Sequence, residues 1–102
     1  MLHLLRNLGF LFSRSPEQKL IDNLITAYLV DEAGSIADMQ IHISKLGYQV
    51  DVEEVSSSLS YLIQKKRVMS SVIIINGQVD IIYSLSNKGV SLIKKDLDRL
   101  IR

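Results

Sequence analysis

Apolar residues recur along this chain at two periods, and the switch between them organises it. Leu4, Leu5, Leu8, Leu11 and Phe12 fall at i, i+1, i+4, i+7 and i+8, the stripe of a short amphipathic helix over residues 1–13, which Gly9 weakens. Ser15-Pro16-Glu17-Gln18 then offers a serine cap, proline at the first helical position and a glutamine that closes a capping box. Leu20, Ile21, Leu24, Ile25, Tyr28 and Leu29 follow at helical spacing, and Gly34 stops the element.

A second helix opens at Ser35, with Asp38 three residues on. Its apolar face is Ile36, Met39, Ile43 and Leu46, with Ile41 well off that face and free to meet another helix. Gly47 suits the left-handed cap that ends it. Asp51-Val52-Glu53-Glu54 opens a third, with Asp51 as cap and Val50 and Val55 as a hydrophobic staple. Its expected buried face is Val52, Val55, Leu59, Leu62 and Ile63. Its expected outward face is Glu54, Ser57, Tyr61 and Gln64, flanked by Glu53, Ser58, Ser60 and Lys65.

Beyond Arg67 the period falls to two. Asn76-Gly77 between apolar runs predicts a hairpin with a type I′ turn, pairing Ile75 with Gln78, Ile74 with Val79, Ile73 with Asp80 and Val72 with Ile81. Alternation places Val72, Ile74, Val79, Ile81 and Tyr83 on one side, expected to face the helices. Met69, Ile73, Ile75 and Ile82 share the other side, which calls for a cover because soluble chains avoid apolar patches. A last helix runs from about Asn87 to Arg102, with Ser86 as cap and Val90, Ile93, Leu97, Leu100 and Ile101 as its stripe.

The order is helix, helix, helix, strand, strand, helix, after an extra N-terminal helix. Two helices joined by a short Gly-containing turn and followed by a hairpin make a winged helix-turn-helix. The fold class is therefore α+β, mostly α: a three-helix core plus a β-hairpin wing, with extra N-terminal and C-terminal helices. The expected division is one domain over 1–102, comprising the N-terminal helix (1–13), the winged core (15–86) and the C-terminal helix (87–102).

Composition narrows the function. A chain of 102 residues has room for one core, and 47% hydrophobic residues exclude a disordered chain. The net charge of +1 means that any nucleic-acid contact rests on a local patch. The lack of cysteine rules out disulfides and fits a reducing, cytoplasmic setting. No apolar run reaches the roughly 18 residues that span a bilayer, so no membrane association is expected. His3 and His42 have no metal-spaced partner, and His42 reads as a solvated residue on a polar face. Ser56-Ser57-Ser58 has no nucleophile elbow, and there is no Gly-rich phosphate loop. No enzyme, metal or cofactor is expected.

Two segments carry a resemblance. The run from Val55 to Arg67, VSSSLSYLIQKKR, is similar to the recognition helix of winged-helix repressors. Ile82 to Gly89, IYSLSNKG, is similar to the Y-x-L-T-x-K-G ending of the wing in PadR-like and MarR-like transcription regulators, and VSLIKK after it resembles the start of their C-terminal dimerisation helix. The resemblance covers about residues 15–102. It implies a homodimer on a palindromic operator in duplex DNA, with the helix of about 51–66 in the major groove.

Carried over by position, the DNA-binding candidates are Ser57, Ser58, Ser60, Tyr61 and Gln64 for readout, and Lys65, Lys66 and Arg67 for phosphates. Ser35, Gln40 and Lys45 are further backbone-contact candidates. Interface candidates, for a second copy or another protein, are Leu4, Leu5, Leu8, Phe12, Ile73, Ile75, Ile82, Ile93, Leu97 and Leu100.

The sequence departs from the family pattern twice. The wing tip carries no Arg or Lys, and Asp51, Glu53 and Glu54 crowd the start of the recognition helix, where the helix dipole also favours acids. These departures favour a second reading, a winged-helix protein–protein interaction module that does not bind DNA directly.

Overall fold

The computed structural model describes residues 14–101. The helix expected over 1–13, with its interface candidates Leu4, Leu5, Leu8 and Phe12, lies outside the described residues. The elements are α1 (Pro16–Asp31), α2 (Ile36–Lys45), α3 (Val52–Gln64), β1 (Val68–Ile75), β2 (Gln78–Leu85) and α4 (Asn87–Ile101).

Each of the first three helices begins on a complete capping box. The pairs are Ser15 with Gln18, Ser35 with Asp38 and Asp51 with Glu54. In each, the cap side chain accepts from the N3 amide and the N3 side chain accepts from the cap amide. Two otherwise orphaned donors are satisfied at every start, so the helix boundaries are set locally.

The core draws on all three helices: Ile21, Ile25, Tyr28 and Leu29 from α1, Met39 and Ile43 from α2, and Val55, Leu59 and Leu62 from α3. Val68, the first residue of β1, completes it. Burying each large aliphatic here stabilises by roughly 1.5–3 kcal/mol. The α3 face differs from expectation. Val52 and Ile63 are exposed, and the fourth buried position is Ser58, giving Val55, Ser58, Leu59 and Leu62 at i, i+3, i+4 and i+7. Spacing outranks residue type because a buried carboxylate accepts the serine hydroxyl. Ile41 of α2 and Leu46 just past its end are also exposed.

The hairpin has the expected register, from Ile75↔Gln78 to Val68↔Leu85. Asn76 and Gly77 both have positive φ, 52° and 77°, as a type I′ turn requires. A backbone bridge ties the hairpin to the core: the Gly34 amide donates to the Tyr83 carbonyl at 3.1 Å, and the Tyr83 amide donates to the Gly34 carbonyl at 2.8 Å.

The expected assignment of the hairpin faces needs correction. Only the base of the first side meets the core, through Val68, Tyr83 and Leu85. Further out, Val72, Ile74 and Val79 are 69%, 73% and 70% exposed; on the second side Ile73 and Ile82 are half-buried, while Met69 and Ile75 are exposed. Alternation decides which residues share a face, but not how far along the strands the helices reach. An open groove separates Val79, Ile81 and Tyr83 from Ser35, Ile36 and Ala37 at the start of α2.

In α4, Leu92 and Ile93 are half-buried, while Leu97 and Leu100 are exposed. Among the described residues no helix is long and apolar enough to cross a membrane.

Candidate nucleic-acid interface

The outward face of α3 is polar and accessible. Ser57, Ser60 and Gln64 are exposed, and Tyr61 is half-buried against the core. Ser58 is a correction to the readout set. It is 1% exposed and its hydroxyl donates to the Asp22 carboxylate, so it cannot touch a duplex.

Among the described residues Asp22 is the one buried charged residue, and it is fully engaged. Arg14 grips both of its oxygens, with Nε donating to Oδ2 at 3.1 Å and Nη2 donating to Oδ1 at 2.7 Å. Both side chains are about nine-tenths buried. The Arg14 guanidinium also lies 4.2 Å from the centre of the Tyr61 ring, and the Lys65 ammonium lies 5.8 Å from it. Composition and spacing carry no sign of this network, because Arg14 and Asp22 precede the start of α3 by thirty residues or more.

Lys65, Lys66 and Arg67 form an exposed cationic cluster where α3 ends. The chain closes there in a Schellman turn. The Arg67 amide donates to the Leu62 carbonyl and the Lys66 amide to the Ile63 carbonyl, both at 2.9 Å. Lys66 takes the left-handed position at φ 61°, where glycine is usual. Its carbonyl accepts from the Ser86 hydroxyl, and the Arg67 carbonyl accepts from the Ser86 amide at 2.9 Å. The Gly89 amide in turn donates to the Ser86 hydroxyl oxygen at 3.0 Å, so Ser86 caps α4 while holding the end of α3.

The other end of α3 is acidic. Asp51, Glu53 and Glu54 are all exposed, but two of them serve the capping box: Asp51 Oδ1 accepts from the Glu54 amide at 2.7 Å, and Glu54 Oε1 accepts from the Asp51 amide at 3.2 Å. Glu53 has no such duty. The helix therefore carries acids at its first turn and cations just past its last, and its second half is the part fitted to a polyanion.

Of the secondary candidates, Ser35 spends its hydroxyl on the α2 cap, and Gln40 Nε2 donates to the Val50 carbonyl at 3.1 Å, bracing the turn between α2 and α3. Lys45 is exposed beside that turn. His42 is half-buried rather than solvated, its ring centre 5.1 Å from that of Tyr28. The Tyr28 phenol is pushed above its ordinary pKa by burial first, then by the charges of Glu32 and Asp38 and a hydrogen bond with Glu32. Among the described residues no group of three or more His, Asp or Glu side chains is placed to hold a metal ion.

Solved structures share this arrangement. A PadR-family transcription regulator from Clostridium difficile R20291 superposes with a TM-score of 0.68 at 21% identity, covering 79% of this chain and 88% of that one. The chain is a winged helix-turn-helix. The diamide-treated YodB from B. subtilis matches with a TM-score of 0.66 at 19% identity, over 94% of this chain and 85% of its own. Bacillus subtilis PadR, solved in complex with operator DNA, matches with a TM-score of 0.67 at 18% identity over 81% of this winged helix, which spans 48% of that PadR chain. No protein-family model matches the sequence, and no curated protein does.

Proposed function

We propose that this chain is a DNA-binding transcription regulator that reads duplex DNA with Ser57, Ser60, Tyr61 and Gln64 and holds phosphates with Lys65, Lys66 and Arg67. The observation that carries this reading is the exposed polar face of α3 running into three exposed cations. A PadR of the same fold, solved with operator DNA, supports it. The acidic first turn argues for a shallow approach in which the second half of α3 makes the base contacts. Hydroxyls and the Gln64 amide are suited to base edges, and the cations supply sequence-independent attraction.

A homodimer fits the same reading. Leu97 and Leu100 are exposed on an amphipathic α4, and pairing them with a second copy around a two-fold axis would place two α3 helices on two half-sites. The experiment is selection from a randomised duplex pool with the purified chain. Recovery of a palindromic consensus supports the reading, and recovery of no enriched sequence overturns it.

The bare outer wing favours a second reading, a protein-interaction module. Val72, Ile74 and Val79 make an uncharged apolar surface of a kind that marks protein contacts. Under that reading Val72→Lys and Ile74→Lys abolish partner binding or self-association, and unchanged behaviour in both assays rejects it.

A further inference from the structure

Arg14, Asp22, Ser58 and Tyr61 link the entrance of α1 to the outward face of α3. Asp22 is 7% exposed, and a carboxylate withdrawn from water that far needs its partners. It has a two-pronged guanidinium and a serine hydroxyl. The same guanidinium covers the Tyr61 ring at 4.2 Å. Ser58 and Tyr61 are three residues apart, neighbours on one helix surface. One ion pair based on α1 therefore grips α3 at two points on adjacent turns. Apolar packing along a single stripe leaves a helix some freedom to rock about its axis, and such rocking would move Ser57, Tyr61 and Gln64 together. The two attachments oppose it.

We propose that Arg14 is a positioning residue for sequence discrimination: held by Asp22, it clamps the Tyr61 ring and fixes the rotation at which Ser57, Tyr61 and Gln64 meet a duplex. The proposal rests on the DNA-binding reading above. Arginine is required because its planar fork engages both carboxylate oxygens while its flat face lies on an aromatic ring, and lysine offers only a point charge. Arg14 itself is largely covered by these partners, so its effect reaches the duplex through Tyr61.

The test uses the whole chain with Arg14→Lys and Arg14→Gln, the best duplex from the selection, and the same duplex with single base-pair changes. The ratio of affinities for the best and changed duplexes falls about tenfold in both variants, the scale of one lost base contact. Affinity for unrelated duplex and the salt slope stay at the wild-type value, and the NMR resonances of the Tyr61 ring move in both variants. In a Tyr61→Ala background, Arg14→Gln lowers the ratio no further. Should Arg14→Gln fail to fold, Arg14→Lys carries the test, because it keeps a charge beside Asp22.

Arg14 variants that discriminate as well as a discriminating wild type overturn this proposal alone. So does an equal loss in the wild-type and Tyr61→Ala backgrounds, which would make Arg14 a purely structural residue. A wild-type chain that binds no duplex overturns the regulator reading, and the proposal with it.

Discussion

Gly89 lies directly against the carbonyl of Arg67: a Cβ at position 89 would stand 2.3 Å from that oxygen. Side chains cannot approach a backbone oxygen so closely, so glycine is what lets the first turn of α4 sit on the end of the cationic cluster. Ser86 completes the joint, bonding to the carbonyls of both Lys66 and Arg67. The Ser-x-x-Gly spacing thus has a mechanical meaning, because it fastens α4 to the connection between α3 and β1.

Gly89→Ala is therefore expected to destabilise the fold by roughly 1–3 kcal/mol, the usual cost of overpacking. Chemical denaturation measures it. Lys88→Ala, one residue away and exposed, serves as the control and leaves the midpoint unchanged.

Ser57 and Ser58 are adjacent in sequence and opposite in role. Ser58→Ala leaves the buried Asp22 carboxylate one donor short and costs about 1–3 kcal/mol of stability. Ser57→Ala leaves stability within about 0.5 kcal/mol, as expected for an exposed position, and acts on duplex binding instead. Equal stability in the two variants would contradict the assignment of Ser58 to the core.

This pair also shows how far the sequence was legible. All three capping boxes, the hairpin register and the turn at Asn76-Gly77 were readable, because each depends on residues close together in sequence. The polar side of α3 was readable from its period, apart from Ser58. That residue looked like a readout serine because its partner, Asp22, lies 36 positions away and leaves no local trace. The reach of the wing is hidden from the sequence for a related reason. Alternation paired Val72 with Ile81 and Ile74 with Val79 correctly, yet the wing extends past the three helices, a matter of tertiary reach that no window of sequence contains.

Glu53 is the acid at the start of α3 that no capping bond employs. Glu53→Gln removes one negative charge from the surface proposed to approach DNA and is expected to raise affinity a few-fold at low salt, with the gain fading as salt screens it. Glu54→Gln keeps an acceptor for the Asp51 amide, so it preserves the cap and gives a similar gain. Titration of a labelled duplex with each variant checks both, and weakened binding by Glu53→Gln would show that this carboxylate contacts a base.

Tyr28 sets an alkaline limit. Its phenol is raised above 10.0 in the folded chain, so over the window from about 10.0 to the folded value the unfolded chain has released a proton that the native chain still holds. Stability accordingly falls as pH rises through that window. Denaturation midpoints of wild type and Tyr28→Phe are expected to run parallel below pH 10 and to diverge above it, with the variant showing the shallower alkaline decline. Parallel declines would assign the alkaline loss to other groups.

The regulator reading requires the cations at the end of α3 to hold a polyanion. Its most direct test is the salt dependence of duplex binding, measured by fluorescence anisotropy on the selected site for wild type and for Lys65→Gln/Lys66→Gln. Wild type is expected to bind in a salt-sensitive manner, and the slope of log K on log salt is expected to be smaller by about two in the double variant, one for each lost phosphate contact. No duplex binding by wild type at low ionic strength, or an unchanged slope in the double variant, would contradict it.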